Sequence, residues 1–192
     1  MPTFNDFYFD SSTGKNHIHV RRCIPDVPVR GYVQIMHGIA EHIERYDDFM
    51  QFLAENGFVA VGTDHLGHGK TIEAPEQKGF LADKNGWDYI IKDEEILRRA
   101  MEKTYPGIPF ILFGHSMGSF MARTHLIRYP GAFDAAIISG TGNNGITPDW
   151  FFQWLKLAVV CFPMALCTQI FFVGPLVRLV FRTIFKKQLN NA

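Results

Sequence analysis

The sequence predicts an α/β fold: a mostly parallel sheet with helices on both faces. Three observations carry this. Apolar runs of four or five residues recur at 32–36, 58–61, 110–113 and 135–138. Stretches with helical spacing separate them. Glycine, proline or asparagine marks the changeovers. Strands buried on both faces read as continuous apolar runs, and helical crossovers make neighbouring strands parallel. Composition agrees: 192 residues, 47% hydrophobic and 20% charged, have the balance of one globular domain and exclude a disordered chain.

In chain order, residues 7–9 and 17–22 read as two early strands joined by a turn at 12–15. The alternation of His17, Ile18, His19 and Val20 suits a half-exposed pair. The run at 32–36 is a buried strand ending at His37-Gly38. Ile43, Tyr46, Phe49, Met50 and Leu53 then recur at helical spacing, and Asn56-Gly57 stops that helix, Gly57 being free to turn left-handed. Residues 58–61 form a second buried strand, leading into Gly62-Thr63-Asp64. Residues 87–105 read as a helix with Ile90, Leu97 and Met101 on one stripe, ended by Pro106. A third buried strand at 110–113 precedes a helix at 117–129, ended by Pro130, and a fourth strand follows at 135–138. Near Gly142 to Gly145 the composition shifts to an aromatic, helical segment with no further sheet strand. The division expected is therefore 1–145 and 146–192.

Several function classes are disfavoured. Nineteen basic residues balance nineteen acidic ones, so nothing in the bulk charge draws nucleic acid. The three cysteines, Cys23, Cys161 and Cys167, are odd in number and lack CxxC spacing, which speaks against a disulfide framework or a zinc site and for a reducing, cytoplasmic setting. The N-terminus has neither the basic nor the apolar region of a secretory signal. Residues 157–177 carry no charge and are about as long as a membrane span, but Pro163, Gly174 and Pro175 interrupt them. A pair of short apolar helices, buried or facing a lipid surface, is the preferred reading over a span.

The strongest chemical signal is Gly114-His115-Ser116-Met117-Gly118, lying directly between an apolar strand and a helix. That context makes a nucleophile elbow: chain reversal at one residue throws the Ser116 hydroxyl clear of the sheet, at a helix N-terminus whose N–H groups stabilise an oxyanion. The second is His37-Gly38-Ile39-Ala40-Glu41, after an earlier strand. An oxyanion hole needs two converging N–H donors; Met117 supplies one and Ile39 the other, with Gly38 allowing close approach. The third is Asp64-His65-Leu66-Gly67-His68-Gly69. Its glycines favour a tight turn at the mouth of the site, with polar side chains tying loops together, over a metal site, for which no fourth ligand is evident.

The order HGIAEHIERY, DHLGHGKT, GHSMGS resembles the monoacylglycerol lipase and lysophospholipase branch of the α/β-hydrolase superfamily, often filed as serine aminopeptidase-like hydrolase domains. The likeness covers residues 15–145 well and the rest loosely. It implies Ser116 as nucleophile, Ile39 and Met117 as oxyanion donors, and a structural role for Asp64 and His68. His37, Gly38, Glu41, Gly114, His115 and Gly118 support these motifs. It implies no cofactor and no metal, a small acyl ester as substrate, and in 146–192 the start of a helical cap that shapes an acyl tunnel and touches lipid peripherally. The family orders its triad Ser, then Asp or Glu, then His. Here His125 is the one histidine after Ser116, about 13 Å along the same helix at 1.5 Å per residue. Asp134 and Asp149 are the aspartates that follow. None suits the roles. The expectation is thus an incomplete hydrolase fold without its last two strands, inactive as an isolated chain. A non-catalytic fragment or acyl-lipid-binding remnant is the alternative.

Overall fold

Alternation along the central strands sets the architecture. In a computed structural model of the chain, which describes residues 1–140, β1 (Thr3–Asp10), β2 (His17–Ile24), β3 (Gly31–Met36), β4 (Phe58–Thr63), β5 (Phe110–His115) and β6 (Ala135–Ser139) form a sheet in the order β1-β2-β4-β3-β5-β6. β4, β3, β5 and β6 run parallel, and β1 and β2 add an antiparallel edge. The helices are α1 (Asp47–Glu55), α2 (Gly86–Thr104) and α3 (Met117–Arg128).

Successive side chains of a strand point to opposite faces. Val33 and Ile35 of β3 and Ala60 of β4 therefore pack with Ile43, Met50 and Ala54 on the α1 side. Tyr32, Met36, Val59 and Val61 pack on the other side, with Ile90, Leu97 and Met101 of α2 and Met121 and Ala122 of α3. Each large side chain buried this way contributes about 1.5–3 kcal/mol. The expected mostly parallel sheet covered on both faces is what forms.

Several elements differ in extent from expectation, most of all the early strands and the helix after β3. The early strands are longer, because β1 pairs with β2 in continuous register from Thr3 opposite Ile24 to Asp10 opposite His17, whatever its apolar content. The helix expected from Ile43 opens instead as a 3-10 turn, Ile43–Tyr46, and becomes α-helical at Asp47. The cause is local. The Ile43 N–H is held by the Asp64 carboxylate at 2.7 Å, and the Ile43 side chain fills the space over Gly62, where a Cβ would overlap it.

At the far edge, Ile137 and Ile138 of β6 are 53% and 39% exposed. Among the described residues no helix is long and apolar enough to cross a membrane. The expected cap at 146–192 and the uncharged run at 157–177 lie outside the described residues.

Candidate active site

The C-terminal ends of β3, β4 and β5 meet at one edge of the sheet, and Ser116 stands there between β5 and α3. Its backbone has φ 52° and ψ −118°. A positive φ on a residue with a Cβ costs about 1–3 kcal/mol, so neighbours must impose it. They do so from both sides. The Ser116 N–H donates to the Ser139 carbonyl at 2.9 Å, extending the β5–β6 ladder by one residue. Its carbonyl accepts the Ser119 N–H at 2.9 Å and the Ser119 hydroxyl at 2.6 Å.

The flanking glycines are required by contact. A Cβ on Gly114 would overlap the Gly118 carbonyl. A Cβ on Gly118 would overlap the Met36 carbonyl and lie 2.8 Å from the His37 oxygen. The first turn of α3 thus rests directly on the end of β3. Ser116 is left half-buried, and its Oγ makes no hydrogen bond among the described residues. His115 turns away, with its Nδ1 3.3 Å from the Ser139 hydroxyl.

The loop after β3 lies against this elbow: a Cβ on Gly38 would stand 3.2 Å from the Ser116 Cβ. Two consecutive peptide groups of the loop are clamped. The His37 carbonyl accepts from His65 Nε2 at 3.3 Å, and the Gly38 N–H donates to Glu41 Oε2 at 2.8 Å. The Gly38 carbonyl accepts from His37 Nδ1 at 2.7 Å. The fourth group, the Ile39 N–H, has no acceptor among the described residues, and neither has the Met117 N–H at the start of α3. Ala40 completes the turn at φ 58°. Glu41 also accepts the Tyr46 hydroxyl at 2.9 Å. Burial pushes its carboxyl up, but these two donors together with His115 and Arg45 hold it below the ordinary value.

His37 is fully buried, and burial together with the stacked His65 ring, 3.9 Å away, pushes its imidazole down to about 2. It is the neutral Nδ1–H tautomer, because its Nε2 accepts the His65 backbone N–H at 3.2 Å.

Asp64 serves the scaffold. Its Oδ1 accepts the Ile43 N–H at 2.7 Å, and its Oδ2 accepts the Lys70 N–H at 2.7 Å and His19 Nδ1 at 2.8 Å. Burial raises its pKa, but His19 and the two backbone donors outweigh that and hold it low. Gly69, at φ 48°, brings its backbone flat against this carboxylate. His68 donates from Nδ1 to the Leu66 carbonyl at 2.9 Å, and burial lowers its pKa. No cluster of three or more metal-ligating side chains exists among the described residues.

The structure therefore brings Ser116, Met117, Gly38, Ile39 and His37 to one point, and leaves Asp64 and His68 tying loops beside it. His125 is buried in the α3 interface, its Nε2 3.1 Å from the Glu95 carboxylate on α2. Sequence reasoning placed His65 only among the loop-tying side chains of its turn, and it missed Glu94. The signal was present: Glu94 occupies the gap in the stripe Ile90, Leu97, Met101, where an apolar residue belongs.

The chain is similar to known proteins in sequence and in fold. A family model described as serine aminopeptidase, S33 matches residues 27–171. The chain is 32% identical over 127 residues to the monoacylglycerol lipase of Mycolicibacterium smegmatis, covering 65% of this chain and 43% of that one. It is 28% identical over 111 residues to human monoglyceride lipase, covering 57% and 34%. The chain thus spans less than half the length of these relatives. Among solved structures, a thermostable carboxyl esterase from Bacillus coagulans in complex with glycerol superposes with a TM-score of 0.71 at 32% identity, over 82% of this chain and 51% of that one. Strand order, elbow and sequence together place the chain in the serine aminopeptidase S33 family, within the α/β-hydrolase fold.

Proposed function

We propose that this chain carries the nucleophile and oxyanion hole of a serine ester hydrolase acting on acyl esters of the monoacylglycerol or lysophospholipid type. The observation that carries the reading is Ser116 at φ 52°, its hydroxyl unpartnered among the described residues and set beside two N–H groups without acceptors. Ser116 Oγ attacks the ester carbonyl, and the Ile39 and Met117 N–H groups receive the charge that develops on oxygen. The alcohol leaves, and water hydrolyses the acyl-enzyme. The fatty-acyl preference draws on the named relatives and on the aromatic residues of 146–192, read as a cap that meets the lipid surface presenting such substrates from the cytoplasmic side.

The chain has eight histidines, all within the described residues. None hydrogen-bonds to Ser116. His17 pairs with Asp10, His19 with Asp64, His115 with Ser139 and His125 with Glu95, while His37, His65 and His68 are bound into the loops and His42 faces Glu44. A serine without a base is a weak nucleophile, so the chain by itself is expected to retain on the order of 10³-fold catalysis over water from its oxyanion hole. This favours a second reading, an acyl-lipid-binding module without turnover. An activated fluorophosphonate separates them. Covalent labelling mapped to Ser116, and lost in Ser116→Ala, supports the hydrolase reading. No labelling of folded protein leaves the binding reading.

A further inference from the structure

Beneath the elbow runs a buried polar chain that the proposed chemistry does not use. Glu94 projects from α2 into the core and is 1% exposed. Its Oε2 accepts Gln34 Nε2 at 2.6 Å. Its Oε1 accepts the Thr63 hydroxyl at 2.5 Å and lies 3.2 Å from His65 Nδ1. The Thr63 hydroxyl also lies 3.0 Å from His65 Nδ1, and Tyr32 donates to Gln34 Oε1 at 3.0 Å. A carboxylate in an apolar interface is expensive unless fully hydrogen-bonded, and a core of this kind is stable without one. Of the groups around it, His65 leads on to the loop after β3.

We infer that Glu94 is a positioning residue for the oxyanion hole, acting through His65 and His37 on the Ile39 N–H. The link is geometric. Glu94 Oε1 accepts the Thr63 hydroxyl, whose oxygen lies 3.0 Å from His65 Nδ1, and Oε1 itself lies 3.2 Å from that nitrogen, so the ring is fixed with its Nε2 3.3 Å from the His37 carbonyl. The His65 backbone N–H holds His37 at Nε2, which leaves the proton on Nδ1, facing the Gly38 carbonyl at 2.7 Å. In a planar trans peptide the C=O and the next N–H point in opposite directions. Pinning the Gly38 carbonyl inward therefore aims the Ile39 N–H the opposite way, where it has no acceptor among the described residues. The chain runs from Glu94 on α2 through the Thr63 hydroxyl, the His65 ring and the His37 ring to one N–H. Pre-aimed donors stabilise a transition state without reorganisation, and the loss of one donor costs about 10²–10³ in rate.

The inference rests on the reading of Ile39 as an oxyanion donor for its consequence, but its structural content is testable apart from activity. The experiment compares wild type, Glu94→Gln and Ser116→Ala by ¹⁵N NMR of the histidine rings and backbone amides, and by the rate of fluorophosphonate labelling. Glu94→Gln is expected to shift the ring signals of His65 and His37 and the Ile39 amide, to leave amides of α1 in place, and to slow labelling by about tenfold, a partial loss of one donor. Ser116→Ala is expected to abolish labelling without moving the two rings. Unmoved His37 ring and Ile39 amide signals in folded Glu94→Gln would overturn the inference, whatever the labelling rate. Wild type that fails to label would sink the hydrolase reading instead, and the NMR comparison would still decide this one. Should Glu94→Gln not fold, Thr63→Val, which keeps the side-chain shape and removes the hydroxyl that joins Glu94 Oε1 to His65 Nδ1, is read by the same criteria.

Discussion

At the scale of single residues, the site is made of conformations that the residues themselves do not favour. Ser116 is held at φ 52° by Ser139 on one side and Ser119 on the other. Ser116→Gly relieves that strain and is expected to raise stability by about 1 kcal/mol, read from the urea midpoint; a lowered midpoint would show that the backbone there is unstrained. Gly118→Ala is expected to cost about 1–3 kcal/mol, because its Cβ overlaps the Met36 carbonyl and α3 must lift from β3. His37 sets a pH dependence. Its imidazole is held at about 2 in the folded chain against an ordinary 6.5, so the unfolded chain binds the proton first as pH falls. Stability then declines from about pH 6.5 downward, by about 1.4 kcal/mol per pH unit for each such group. His68 and His125 are lowered as well and add to the slope. Melting temperatures between pH 7 and 5, above the range where the carboxylates titrate, should fall, and His37→Asn should flatten the decline. An unchanged slope in that variant would contradict the buried neutral imidazole.

At the scale of elements, one carboxylate couples three of them. Asp64 joins β2 through His19, the start of the α1 segment through Ile43, and the turn after β4 through Lys70. Asp64→Ala leaves those buried donors without an acceptor and is expected to cost on the order of 3 kcal/mol in chemical denaturation. A loss below about 1 kcal/mol would show that the loops hold themselves. This long-range bond also marks how far sequence could be read. The central strands were legible because each is an apolar run closed by glycine or a polar turn, and α2 and α3 because proline follows each. The 3-10 opening at Ile43 was not, since a residue twenty-one positions later imposes it. The full length of β1 was not, since pairing rather than composition defines it. Ser116, Gly114, Gly118 and the HG dipeptide at His37 stood out because backbone geometry demands small residues there. Glu94 did not: a glutamate in a helical stripe reads as surface until its partners on β3 and β4 are known.

At the scale of the molecule, the sheet formed by the described residues has two unlike edges. β1 carries Asn5, Asp6 and Asp10 along one edge, while β6 presents the exposed Ile137 and Ile138 at the other. An apolar edge strand templates pairing with a further strand. Ile137→Lys is therefore expected to reduce concentration-dependent self-association in light scattering, and no change would show that this edge makes no contact. The family membership, the parallel sheet and the crowded meeting of β3, β4 and β5 support the account proposed: a strained serine offered to a carbonyl beside two backbone donors. The direct measurement is a crystal structure of the protein phosphonylated at its reactive hydroxyl. The account requires the adduct on Ser116, with a phosphonyl oxygen about 2.7–3.1 Å from the nitrogens of both Ile39 and Met117. An adduct on another residue, or an oxygen turned to solvent away from both nitrogens, would contradict it.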